Sequence, residues 1–366
     1  MAAIVWKGGA TAVAQVNTEQ PALMDIADTF TIVLTDYQGF SDSITYTAAA
    51  ATAKDVVEGL MALAVAAKAA GAYGWKDVTC TENDVLLTIT ADTAGQPFYV
   101  TASSVGGTLT DASVTACAGN NIATQNENWV GGTAPADGDS IVIPADAAYD
   151  IYGADMTDKE IVGFTIEEGC TIDIGARNKP LALDLTYSAA AYDANLAGIG
   201  TQFLNLTNTD AVNITESGSA PGDGQYSKNL RGDAVSVTVA CADGESVGIA
   251  GGSGEAMTIT TLTINSGDVT IAAAVAPTTI NVNGGTVFYH STGTATTVNV
   301  GPSGTVDKRN TLNACTFTNV NMFAGAKLYD PYKTITLTNG VDLEQCGIED
   351  VTLELGKHIT VTPTAV

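Results

Sequence analysis

The stretch Leu262-Thr-Ile-Asn-Ser-Gly267-Asp-Val-Thr-Ile271 is matched in pattern by Ile280-Asn-Val-Asn-Gly-Gly285-Thr-Val-Phe-Tyr289. Val298-Asn-Val-Gly-Pro-Ser-Gly304-Thr-Val fits with one insertion, and Val320-Asn-Met-Phe-Ala-Gly325-Ala-Lys-Leu-Tyr329 fits again. Their glycines lie 18, 19 and 21 positions apart. An earlier copy is Phe164-Thr-Ile-Glu-Glu-Gly169-Cys-Thr-Ile-Asp-Ile174, and a weaker final one is Val351-Thr-Leu-Glu-Leu-Gly356-Lys-His-Ile-Thr-Val361. Irregular repeats of this length predict a solenoid of stacked coils. One coil cannot bury its own apolar face, so coils must stack. Alternate Val, Ile and Leu point inward, and Thr and Asn point outward as ladders along the surface. Gly169, Gly267, Gly285, Gly304, Gly325 and Gly356 are read as coil corners, where a left-handed backbone suits glycine. The expected form is a right-handed parallel β-helix over residues 146–366. Short strands at regular spacing leave β-sandwich domains as the structural alternative.

Working outward, the region before the repeats reads differently. Phe30–Thr35 and Ser43–Thr47 alternate as strands around a turn at Gly39. Thr52 to about Ala70 is the one convincing helix. Thr52 can cap it, Asp55 sits three residues on, and Val56, Leu60 and Leu63 follow at helical spacing. Lys76–Thr81 and Val85–Thr90 follow as strands, with Phe98–Ala102 as a further one. The order β-β-α-β-β defines a small α+β module over 28–118. Residues 1–27 read as an extended arm, with Trp6, Val13 and Val16 as its anchoring side chains. Residues 119–145 read as a connecting segment. In it, Asn126-Glu-Asn-Trp129-Val-Gly-Gly precedes the apolar run Ser140–Ile143, and Trp129 is expected to plug the end of the β-helix.

Composition supports a mainly β chain and excludes several functions. Of 366 residues, 45% are hydrophobic and only 15% charged, which is unlike a disordered acidic tail. The 14 Lys+Arg against 40 Asp+Glu give a net charge of −26, which argues against general nucleic-acid binding. The longest apolar run, Leu60–Ala67, is too short to span a bilayer. Met1-Ala2-Ala3-Ile4 lacks the basic start and apolar stretch of a secretory signal, which predicts synthesis in the cytoplasm without export. The six cysteines are far apart with no C-x-x-C, and are read as buried free thiols.

Catalytic patterns are scarce. His290 and His358 are the only histidines, and neither lies in H-E-x-x-H or H-x-H. There is no G-x-S-x-G elbow and no phosphate-binding G-x-x-x-x-G-K-[ST] loop. Gly251–Gly254 is glycine-rich without a following lysine, so it reads as a flexible corner. Carboxylates are the only plentiful acid–base groups. Asp307, Asp330, Asp342 and Glu344 are the candidates for a glycosidase-like pair, with solvated surface charge as the simpler reading. Phe288, Tyr289, Phe323, Tyr329 and Tyr332 are candidate sugar-stacking residues, read more simply as core or subunit interface. Asp137-Gly-Asp139 and Asp223 are turn-like acids without the spacing of a calcium loop, and Glu167-Glu168 is read as a solvated acid pair at a coil bend. No metal or cofactor is implied.

The opening Ile4-Val-Trp6-Lys-Gly-Gly-Ala-Thr-Ala-Val-Ala-Gln15-Val-Asn-Thr18, the α+β module, Asn126–Ile143 and the late coils Thr279–Pro363 together resemble virion proteins of tailed bacteriophages, of the capsid-decoration or head-fibre type. The resemblance covers most of the chain, and its motifs are patterns of turn and strand. It implies a non-enzymatic structural protein on the capsid surface, a homotrimer, with the major capsid protein or another virion protein as partner. It carries over no catalytic residues. The alternative is a tailspike that binds or cleaves a host surface polysaccharide.

Overall fold

The computed structural model describes residues 3–219, 226–250, 255–344 and 346–356. The chain is mainly β, with 52% strand and 8% helix, and its long C-terminal part is a parallel β-solenoid of about nine turns. The repeats seen in the sequence are stacked in register. Leu262 pairs with Ile280, Ile280 with Val298, and Val298 with Val320. The same column runs back through Val237, Val212, Ala194 and Phe164 to Ile141. Two residues on, Ile143, Ile166, Leu196, Ile214, Val239, Ile264, Val282, Val300 and Met322 form a second inward column. The second sheet contributes Val247, Val269, Val287, Val306 and Leu328. All of these are buried in one continuous core. Each fully buried Val, Ile or Leu contributes about 1.5–3 kcal/mol.

Between the two inward columns lies an outward one, Asn281–Asn299–Asn321. Asn299 Nδ2 donates to Asn281 Oδ1 at 2.7 Å, and Asn321 Nδ2 to Asn299 Oδ1 at 2.7 Å. Asn283 and Asn265, Asn339 and Asn319, and Asn213 and Asn195 repeat the arrangement. A parallel stack brings identical amides one strand spacing apart, so each donates to the next.

The final sequence copy is out of phase. Thr352–Leu355 pairs with Lys327–Asp330, in the second sheet, while Val341–Leu343 continues the column of Leu262. Both sheets bury alternate apolar residues, so alternation alone cannot tell one half-coil from the other. The corners are also of two kinds. Gly169, Gly267, Gly285 and Gly325 have positive φ, as expected. Gly304 and Gly356 do not. A Cβ on Gly304 would stand 2.0 Å from the Val282 carbonyl oxygen, and one on Gly356 2.6 Å from that of Pro331. Glycine is required there by close packing of successive coils.

The extended arm expected over 1–27 is instead folded at both ends. Ala3–Val5 pairs in parallel with Ser140–Val142 and is the outermost strand of the solenoid. Val16–Ala22 is a central strand of the module, between Leu86–Ala91 and Thr108–Thr115. Val16 is half-buried in that strand, and Val13 forms a bridge with Ala118 at the module's base. The module is thus inserted into the first coil rather than placed before the solenoid, and the solenoid starts before residue 146. The cause is apolar periodicity: Ile4 continues the inward column, and an exposed Trp6 would leave a large apolar ring in water.

Within the module, two antiparallel sheets enclose a separate core. One has the order Val78–Asn83, Leu86–Ala91, Val16–Ala22, Thr108–Thr115; the other is Ser41–Thr47, Thr29–Thr35, Tyr99–Val105. The helix spans Ala53–Ala69, and the Thr52 side chain accepts from the Asp55 N–H at 3.3 Å. Its buried face, Val56, Val57, Leu60 and Ala64, packs with Phe30, Ile32, Leu34, Leu87 and Ile89.

Candidate functional site

The neck joining module and solenoid is built on two tryptophans. Trp6 and Trp129 are each 1% exposed and meet edge to face, ring centroids 5.1 Å apart. Trp6 Nε1 donates to the Tyr149 carbonyl at 3.1 Å, and Trp129 Nε1 to that of Ala123 at 2.7 Å. Trp129 lies at the start of the stack, bridged to Trp6. Trp6 is not free to anchor a partner. Asn128 carries no functional motif in the sequence. It is fully buried, donates to the Gly119 and Ile122 carbonyls, and accepts from the Ala10 N–H. Its only signal is its place beside Trp129 in a polar turn.

The late carboxylates do not converge. Burial pushes the Asp307 carboxyl up, but Arg309, with Nη2 to Oδ2 at 2.6 Å and its backbone N–H on the same carboxylate, outweighs it and leaves Asp307 below its ordinary pKa. Asp330 is fully buried and accepts from the N–H and hydroxyl of Thr334 and the N–H of Ile335, so it caps a turn. Asp342 is on the other sheet, in line with Asn321, and Glu344 follows it. The aromatic cluster divides likewise. Tyr289 is core, against Phe317 at 5.1 Å; Tyr329 lies under Arg309; Phe323 and Tyr332 are exposed. His290 is half-buried, and burial lowers its pKa. His358, Asp223 and Gly251–Gly254 lie outside the described residues. Among the described residues no group of acids, histidines and cysteines is arranged to hold a metal ion. All six cysteines are unpaired. Cys170, Cys241 and Cys315 are buried, whereas Cys80, Cys117 and Cys346 are only half-buried.

Many acids have a structural task instead. Glu216 accepts from the Gly198 and Gly169 N–H groups at 2.6 and 2.7 Å. Glu245 accepts from Ser217, Asp173 from Thr201, Asp150 from Asp173, Asp137 from Glu160, and Glu167 from Ala145. Each carboxylate satisfies a backbone N–H left open at the corner of a neighbouring coil. Glu167, expected to be merely solvated, is one of these clips.

The module folds back along the solenoid. Tyr37 meets Tyr152 with ring centroids 4.7 Å apart, and Lys179 Nζ lies 3.9 Å above the Tyr99 ring. A cleft of about 250 Å³ lies along this seam, lined by Tyr37 and Gln38 of the module and by Tyr152, Asp173 and Ala176 of the solenoid. Past the turn at Arg177–Pro180, a larger groove of about 590 Å³ opens on the outer face of the second sheet. Its floor is Asn205 and Arg231, which are register partners. Arg177, Asn178, Asp233, Glu255 and Thr258 line it. Arg231 Nη2 donates to the Arg177 carbonyl and to Glu255. This groove gathers two of the chain's three arginines. The sequence held no clue to it, because Arg177 and Arg231 are brought together by stacking. Comparisons with protein-family models, curated proteins and solved structures returned no match.

Proposed function

We propose that the chain is a non-enzymatic structural protein of a tailed-phage virion, decorating or cementing the capsid surface through its N-terminal region, as a trimer. The observation that carries this reading is the continuous parallel stack from Ile4 to Val341 with the module inserted into its first coil. Such a stack is stiff, because every coil is hydrogen-bonded to the next and shares one core. The insertion ties the module to the shaft by two chain crossings, which suits a load-bearing attachment. With Trp6 buried, attachment falls to the far end of the module. Leu23, Ile26 and Val105 are 82, 68 and 74% exposed there. They are neighbours: Thr29 pairs with Val105, and Thr108 Oγ1 donates to the Ala22 carbonyl. Apolar side chains this exposed are characteristic of contact surfaces.

The test is reconstitution on phage heads that lack the protein. Expected is co-sedimentation with the heads and density at repeated lattice positions by cryo-microscopy, both lost in Leu23→Asp/Ile26→Asp. Particles that never take up the protein, or take it up only on the tail, overturn the proposal.

A further inference from the structure

The outer surface of the late coils has a bend of its own. Thr260, Thr278, Thr296 and Thr318 each precede a residue of one register column, Thr261–Thr279–Thr297–Asn319. In each coil the two successive residues both face outward. This breaks the alternation of a flat strand and marks a change of direction. The Thr296 and Thr297 N–H groups both donate to the Thr278 carbonyl there, at 2.8 and 3.1 Å. Met257–Ser266, Thr294–Asp307 and Cys315–Met322 run through the bend unbroken, so it is shallow and its two flanks form an obtuse wedge.

The wedge is uncharged. On one flank the outward positions run from Thr261 and Thr263 to Asn319 and Asn321, and all are Thr or Asn. On the other, Thr294, Thr316 and Thr336 are stacked in register. The same coils do carry charge, but Asp243, Asp268, Asp307, Arg309 and Lys327 stand on the second sheet or the turns beside it. This placement bears on self-association, because copies of net charge −26 repel one another. They can approach closely where neither presents a charge, and depletion of charged residues is the compositional mark of an interface centre. The face is also preorganised. Asn281 Nδ2 donates to Thr263 Oγ1 at 3.3 Å, and Asn299 and Asn321 continue the row. Threonine is stiff at χ1, so little side-chain freedom is lost on docking.

We propose that copies of the chain meet on this wedge, three of them around an axis parallel to the stack. The threonine bends lie at the centre, and one flank of each copy packs on the other flank of the next. Such a contact is heterologous and closes on itself, as a cyclic trimer requires. The inference rests on the trimer of the proposed function and adds the face that makes it.

The experiment is sedimentation equilibrium on the full chain at low and high salt. Expected is the mass of a trimer, with association tightening as salt screens the −26 charge. Thr279→Lys/Thr297→Lys should sediment as a monomer, a threefold drop in mass. The lysines lower the net negative charge, so they would strengthen an association made elsewhere. Thr305→Lys, on the outer face of the second sheet, should remain a trimer. Far-ultraviolet circular dichroism matching the wild type shows that the variants are folded, and Thr296→Lys gives the same readout from a single exposed position at the bend. A trimer that survives these wedge variants overturns the inference and leaves the virion reading standing. So does a trimer lost equally in Thr305→Lys, or one that loosens with salt as an ion-paired contact would. A wild-type dimer overturns it, because an isologous contact covers one flank only. A wild-type monomer overturns both the inference and the trimer of the virion reading, while uptake by phage heads is a separate readout of attachment.

Discussion

Trp6 and Trp129 face each other edge to face across the neck, their ring centroids 5.1 Å apart, with the whole α+β module lying between them in sequence. The pair closes the insertion as a clasp. Val13 N–H, donating to the Ala118 carbonyl at 2.8 Å, supports it from the module side. Both indoles are fully buried, so truncation leaves a cavity and an unpaired carbonyl at Tyr149 or Ala123. Trp6→Ala should cost about 3–5 kcal/mol of solenoid stability. Differential scanning calorimetry would show it as a lowered solenoid transition. If the module melts separately, as its distinct core suggests, its own transition should move little.

The coil clips give a second prediction. Glu216 ties two backbone N–H groups from other coils, at Gly198 and Gly169. Hydrogen bonds to a charged acceptor are worth about 1.5–3 kcal/mol, less where water competes. Glu216→Ala should therefore destabilise by about 1–2 kcal/mol, and Glu216→Gln by less, because the amide oxygen still accepts. Urea unfolding of the two variants separates charge from hydrogen bonding. Equal loss in both would mean that the oxygen's hydrogen bonds matter little.

These clips also show what the sequence could and could not convey. The column Leu262, Ile280, Val298, Val320 is legible in the sequence because a two-residue alternation repeats around a glycine. The helix was legible because Thr52 and its apolar spacing are local signals. The place of residues 3–6 was not, since one short strand, Ala3–Val5, is assigned to a sheet only by a partner far along the chain. The net charge misled for the same reason. Scattered acids read as a solvent coat, and only the stacking shows Glu216, Glu245 and Asp173 aimed at amides of neighbouring coils. The Arg177–Arg231 groove is the extreme case, assembled wholly by the coil register.

The corner glycines separate two physical causes. Gly169 has φ +79°, and no atom lies within 4 Å of the position of a Cβ. Gly169→Ala should cost about 1–2 kcal/mol, from left-handed backbone alone. Gly169→Asn should recover part of that, because asparagine tolerates this region. At Gly304 the obstacle is the Val282 carbonyl at 2.0 Å, so alanine and asparagine should both be strongly destabilising, by about 1–3 kcal/mol or more. Thermal melts of the four variants would give the ranking. Rescue of Gly304 by asparagine would show that the clash is relieved by backbone movement.

The module contains a buried acid whose titration should be visible from outside. Glu19 is fully buried, on a central strand facing Leu87, and neither carboxyl oxygen accepts a hydrogen bond among the described residues. Burial, then the neighbouring Asp111, push it up from its ordinary 4.5 to about 9. At neutral pH it is a neutral acid able to donate to Asp111. The folded module therefore holds a proton that the unfolded chain releases above about pH 4.5. The stability tied to this proton is fully present below pH 4.5 and is lost as pH rises towards 9. The slope is about 1.4 kcal/mol per pH unit within that window. Glu19→Gln keeps the shape and a donor without an ionisable proton. It should abolish most of this slope and leave the module more stable than wild type at pH 8. Urea denaturation followed through the fluorescence of Trp75, the buried tryptophan of the module core, would track it from pH 5 to 9. A flat wild-type profile would show that Glu19 ionises in the fold without penalty.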